Sequence, residues 1–156
     1  MSRFITVIEA TNSQNLETFV ATHKVDRDLK PATEKQINEM ESVLGVKAGK
    51  QFKQYLLSYG ALSYKFVEFL GISGTEARPK IINDTITLRK YGTGVPVNMI
   101  PIYKIHDEGL YAMVDSSDNV YEVDVYHYFK GTARPKKTGL KFNDYVINLF
   151  TMADKE

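Results

Sequence analysis

The chain of 156 residues has no cysteine, no tryptophan and three histidines. Without a thiol there is no disulfide framework, no thiol catalysis and no cysteine-ligated zinc site. His23, His106 and His127 are scattered, with neither an HExxH spacing nor a serine in a GxSxG elbow. Neither sign of charge dominates. The 20 Lys and Arg stand against 19 Asp and Glu, which is no overall bias toward nucleic acid or an anionic membrane. No run approaches the roughly 18 apolar residues of a membrane span. The early apolar stretch Phe4-Ile5-Thr6-Val7-Ile8 is too short for a signal sequence and is soon followed by Glu9. Gly92-Thr93-Gly94 lacks the lysine and the length of a phosphate loop. The expectation from these absences is a cytoplasmic protein with no cofactor, no bound metal and no direct contact with nucleic acid or membrane.

What is present suits one folded domain across residues 1–156. Hydrophobic residues make up 43% of the chain, and ten tyrosines with eight phenylalanines can fill a sizeable core. Residues 33–72 are the most legible part. Thr33 followed by Gln36 forms a capping-box pattern, and Ile37, Met40 and Leu44 then recur on one helical face up to Gly45. Phe52, Tyr55, Leu56 and Tyr59 repeat the pattern up to Gly60, where a left-handed C-terminal residue is wanted. Leu62, Tyr64 and Phe66 alternate as a half-buried strand does.

Elsewhere, Asn15–Thr22 reads as a short helix and 23–32 as a polar loop. Residues 3–10 fit a strand or a helical turn. Asn83-Asp84 is expected to cap a helix over 81–91. Three strands are expected at 99–106, 109–115 and 120–126, joined by turn-forming Asp107-Glu108-Gly109 and by 116–119. Residues 130–141 read as a basic loop and Phe142–Met152 as a closing helix. This order is an α+β fold, a mainly antiparallel sheet with helices packed on one face.

These residues resemble the SUKH superfamily, the bacterial immunity proteins and fungal cell-wall regulators that share an α+β domain. The likeness rests on the helix ending Leu44-Gly45, the aromatic helix Phe52–Tyr59, Gly60, and the strand ending Leu70-Gly71. It continues through Asn83-Asp84-Thr85, Ile100-Pro101-Ile102, Gly109-Leu110-Tyr111 and Val120-Tyr121, covering residues 15–150. One departure stands out: Lys47-Ala48-Gly49 occupies the place where the family usually opens its second helix with Leu-Pro. The resemblance implies an immunity protein that occludes a cognate protein toxin, or an adaptor that binds a cellular protein, without catalysis in either case.

Charge is segregated within the near-neutral total. Residues 98–128 hold six acids against Lys104 alone, a net of −5, whereas 129–141 hold five bases and no acid. An acidic sheet face would steer a basic partner such as a nuclease domain, since nucleases are basic in order to hold phosphates. The partner-facing residues expected on that ground are Asp107, Glu108, Asp118, Glu122 and Asp124. Tyr111, Tyr121 and Tyr126 join them because interfaces favour tyrosine anchors. Asp115, Asp118, Glu122 and Asp124 lack the spacing of a calcium loop, with Val120 at the place that needs glycine. Glu41 shares a helix side with Ile37 and Leu44, so it is expected either to tie a loop or to line a cleft. The RPKKTGLK stretch has no interleaved aromatics to stack bases, so it is read as a solvated loop. An open sheet edge would permit a monomer or a weak homodimer.

Overall fold

The first two helices are each started by a local signal. α1 (Leu16–Thr22) is capped by the Asn15 side chain, which accepts the Thr18 N–H. α2 (Glu34–Leu44) carries the full capping box between Thr33 and Gln36 and stops at Gly45, whose φ is 71°. α3 (Lys50–Tyr59) ends at Gly60, φ 75°. The computed structural model describes residues 15–91, 95–106, 109–125 and 135–155.

A three-stranded antiparallel sheet follows the order β1 (Asp26–Arg27), β2 (Leu62–Tyr64), β3 (Val67–Glu68). α4 (Lys80–Tyr91) leads to a second antiparallel sheet, β4 (Met99–His106), β5 (Leu110–Asp115), β6 (Asn119–Asp124) and β7 (Lys136–Lys141). α5 (Phe142–Asp154) closes the described chain. The two sheets meet where the Leu70 N–H donates to the Ile102 carbonyl at 2.7 Å.

The main core lies between the helices and one sheet face. It joins Phe19 of α1, Ile37 and Met40 of α2, Phe52 and Leu56 of α3, and Tyr145, Val146 and Phe150 of α5 with Ile100, Ala112, Val114 and Val120 of the large sheet. A smaller cluster joins Leu88 of α4 with Met99, Met113, Val123 and Val125, which alternate to the other face of that sheet.

The α+β class and the sequence-read helices stand. Four local expectations change. The run Leu62-Tyr64-Phe66 is a hairpin rather than one strand, with Lys65 at φ 53° in its turn and Phe66 exposed. α4 starts at Lys80, ahead of Asn83-Asp84, and the Ile82 N–H bonds Pro79 O. Residues 136–141 of the expected basic loop are the edge strand β7. Asp26–Arg27, inside the expected 23–32 loop, pair with Ser63 and Leu62. The expectation for residues 3–10 lies outside the described residues.

Candidate functional site

The large sheet sorts the expected site residues by alternation. On β5 and β6, Ala112, Val114 and Val120 face the main core, so Glu122 and Asp124 face it too. Their exposures are 2% and 9%. Tyr145 of α5 confirms the direction: burial, then the Glu122 carboxylate, hold its hydroxyl well above the usual tyrosine range. Asp118, 6% exposed, has a left-handed φ of 65° in the β5–β6 turn. That backbone turns its carboxylate onto the N-terminus of α3. It accepts the Gln51 N–H at 2.9 Å and the Phe52 N–H at 3.0 Å, satisfying two amides that the helix leaves without partners.

The expectation of an acidic surface at Asp118, Glu122 and Asp124 is therefore corrected: all three residues are buried, with Asp118 bonded to the start of α3 and Glu122 close to Tyr145 of α5. Asp107, Glu108 and Tyr126 lie outside the described residues. Glu41 ties the loop between α2 and α3, accepting the Ala48 N–H at 2.8 Å with Lys47 Nζ at 3.8 Å. Among the described residues, no three His, Asp or Glu side chains are placed to hold a metal ion together.

Asp118 also explains the glycine at position 49 within the Lys47-Ala48-Gly49 departure. A Cβ on Gly49 would stand 2.3 Å from Asp118 Oδ1, so only glycine leaves room for this carboxylate.

Tyr111 and Tyr121 alternate to the opposite face, each half-buried against the smaller cluster. In register, Lys104 lies opposite Tyr111 and Lys137 opposite Tyr121, while Met113 of β5 lies opposite Tyr121. The chain after α4 packs on the same cluster through Val95, and Val97, two residues on, is exposed. This face therefore offers aromatic and apolar groups beside lysines. The sequence signal for it was the odd-numbered alternation in β5 and β6. The sign of the flanking charge was hidden, because neighbouring residues in a strand belong to different faces.

In this α+β domain the Asp118 and Glu41 carboxylates bond a helix start and a loop, and Tyr111 and Tyr121 stand on a half-covered sheet face. The SUKH_5 model, described as SMI1-KNR4 cell-wall, matches residues 5–151. The chain belongs to this SUKH family. A solved structure entitled "Crystal structure of protein from Pseudomonas syringae pv. tomato" is similar in fold, with a TM-score of 0.51 and 22% identity, covering 69% of this chain and 79% of that one. No curated protein matches the chain. No helix among the described residues is long and apolar enough to cross a membrane.

Proposed function

We propose that this protein is an immunity protein that binds and occludes a cognate bacterial toxin, of nuclease type, in the cytoplasm and without catalysis of its own. The observation that carries the reading is the family match over residues 5–151. The surface assigned to the toxin is the outer face of the large sheet, with Tyr111 and Tyr121 as anchors. Buried tyrosines at interface centres carry a large share of binding energy because they desolvate much area at little entropic cost. Asp107, Glu108 and Tyr126 remain part of this proposal on sequence grounds. The printed family description, SMI1-KNR4 cell-wall, favours a second reading as a regulatory adaptor for a cellular protein.

The test is co-expression with the toxin encoded beside this gene, followed by affinity measurement on wild type, Tyr111→Ala and Tyr121→Ala. An immunity protein protects the cell and forms a stoichiometric complex. Each substitution is expected to weaken that complex about tenfold or more, roughly 1.4 kcal/mol. Absence of a complex, with a housekeeping protein captured in its place, would overturn the immunity reading in favour of the adaptor.

A further inference from the structure

The β5–β6 turn is built around one carboxylate. Val114 of β5 pairs with Val120 of β6, so residues 115–119 carry the chain round. Asp115 Oδ1 accepts the Ser117 N–H and the Asn119 N–H, both at 2.9 Å. Its Oδ2 accepts the Asn119 side-chain amide at 3.2 Å. Two bonds use both lone pairs of Oδ1, whereas Oδ2 keeps room for one more donor. The turn is also fixed from outside. Asp118 is bonded to the start of α3, and Lys141 Nζ donates to the Ser117 carbonyl at 2.8 Å.

Tyr121 supplies the further donor. Ala112 and Val114 face the main core, so Asp115 shares the outer face of β5 with Tyr111 and Met113. Tyr121 lies directly opposite Met113, which makes Asp115 its diagonal neighbour on that face, a spacing that a long aromatic side chain spans. Burial, then the Asp115 charge and a hydrogen bond to that carboxylate, raise the Tyr121 hydroxyl above the usual tyrosine range. The Tyr121 side chain also packs on the smaller apolar cluster. It is thus held by the cluster and, at its hydroxyl, by a turn that is itself tied down.

We propose that Asp115 is a positioning residue of the tyrosine face: its carboxylate holds the Tyr121 hydroxyl, so that the ring meets a partner protein in one fixed orientation. The inference rests on the reading of that face as the toxin-binding surface and adds the device that prepares it. A side chain already ordered in the free protein loses less freedom on binding. With four donors on its two oxygens, Asp115 acts through Tyr121 and offers little to attract a basic partner directly.

The experiment uses the full chain with labelled aromatic residues for NMR, and the toxin encoded beside this gene as the binding probe. Asp115→Asn keeps an oxygen for the two turn amides but puts a donor in place of the second oxygen. Tyr121→Phe removes the same bond from the other side and leaves the turn untouched. Residue 121 of the free wild-type chain is expected to hold one χ1 rotamer, and in each variant to average over several. The dissociation constant is expected to rise about threefold to tenfold in each variant, the cost of immobilising one side chain on binding, and no further in the double variant. A single wild-type rotamer in either folded variant overturns the proposal. So does wild-type affinity in either of them, or losses that multiply in the double variant. Should Asp115→Asn not fold, Tyr121→Phe carries both readouts alone. Absence of a complex with wild type sinks the immunity reading, while the rotamer measurement, which needs no partner, still decides whether Asp115 positions Tyr121.

Discussion

Asp118 is the residue whose role differs most from its sequence appearance. It reads as a solvated turn acid, yet its carboxylate meets a helix start 66 residues earlier in the chain. Nothing local announces that contact; only the glycine at 49, in place of the family's usual residue, leaves a trace. Asp118→Ala is expected to cost about 0.5–2 kcal/mol, the range of a lost N-cap. Gly49→Ala is expected to cost about 1–3 kcal/mol by overpacking against the same carboxylate. In urea melts the double variant should lose less than the sum, because removing the carboxylate makes room for the new methyl. Two buried tyrosines offer a second contrast. The Tyr55 hydroxyl donates to Leu70 O at 2.9 Å and accepts the Leu62 N–H at 3.0 Å, whereas the buried Tyr145 hydroxyl has no hydrogen-bond partner among the described residues. Tyr55→Phe strands a buried N–H and should cost about 1–3 kcal/mol, while Tyr145→Phe should be neutral or stabilising in the same melts.

Elements were legible where one local rule sufficed. α2 announces itself because its cap, apolar stripe and closing glycine all lie within the helix and its flanks. β7 does not, because an edge strand with lysines at 136, 137 and 141 and a glycine at 139 has little alternation to read. β1 is two residues long and exists only through its partner β2. The helix ends are coupled in a way no local pattern shows. Asp154 of α5 accepts the Tyr64 hydroxyl at 2.6 Å and stands 3.2 Å from Lys65 Nζ and 3.7 Å from His23 Nε2. One carboxylate thus links α5, the β2–β3 hairpin and the residue after α1. The Tyr64 hydrogen bond, then that of Lys65, holds it below the usual carboxylate range. A depressed folded-state pKa means stability that is present above about pH 4 and lost as pH falls through the folded value. Asp154→Asn should therefore flatten the acid limb of the stability curve. It should also speed amide exchange in α1 and the hairpin while leaving β4–β6 protected. Unchanged exchange in α1 would show that Phe19 packing alone holds that helix.

At the scale of the molecule, composition and periodicity are enough to reach the α+β class, because helices and hairpins follow one another in separate blocks. They do not reach the surface charge. Net charge over residues 98–128 counts six acids on one stretch of chain, yet a strand divides its neighbours between two faces and a turn can swing a side chain inward. Three of those acids are buried in the fold. This reverses what a charge-swap experiment would report. Replacing Asp118, Glu122 and Asp124 together with lysine was the natural probe of an acidic steering face. In this structure it places three ammonium groups at buried positions, one of them beside Tyr145 and one at the α3 N-terminus, where burying charge without a matched partner costs several kcal/mol per group, on the order of the whole stability of a domain. The expected result is loss of the cooperative thermal transition by circular dichroism, so that any loss of binding follows from unfolding. Tyr121→Ala keeps the fold and isolates the binding contribution. A triple-lysine variant that melts like wild type and associates more slowly only at low salt would instead restore the acidic face, and would require these three carboxylates to reach solvent.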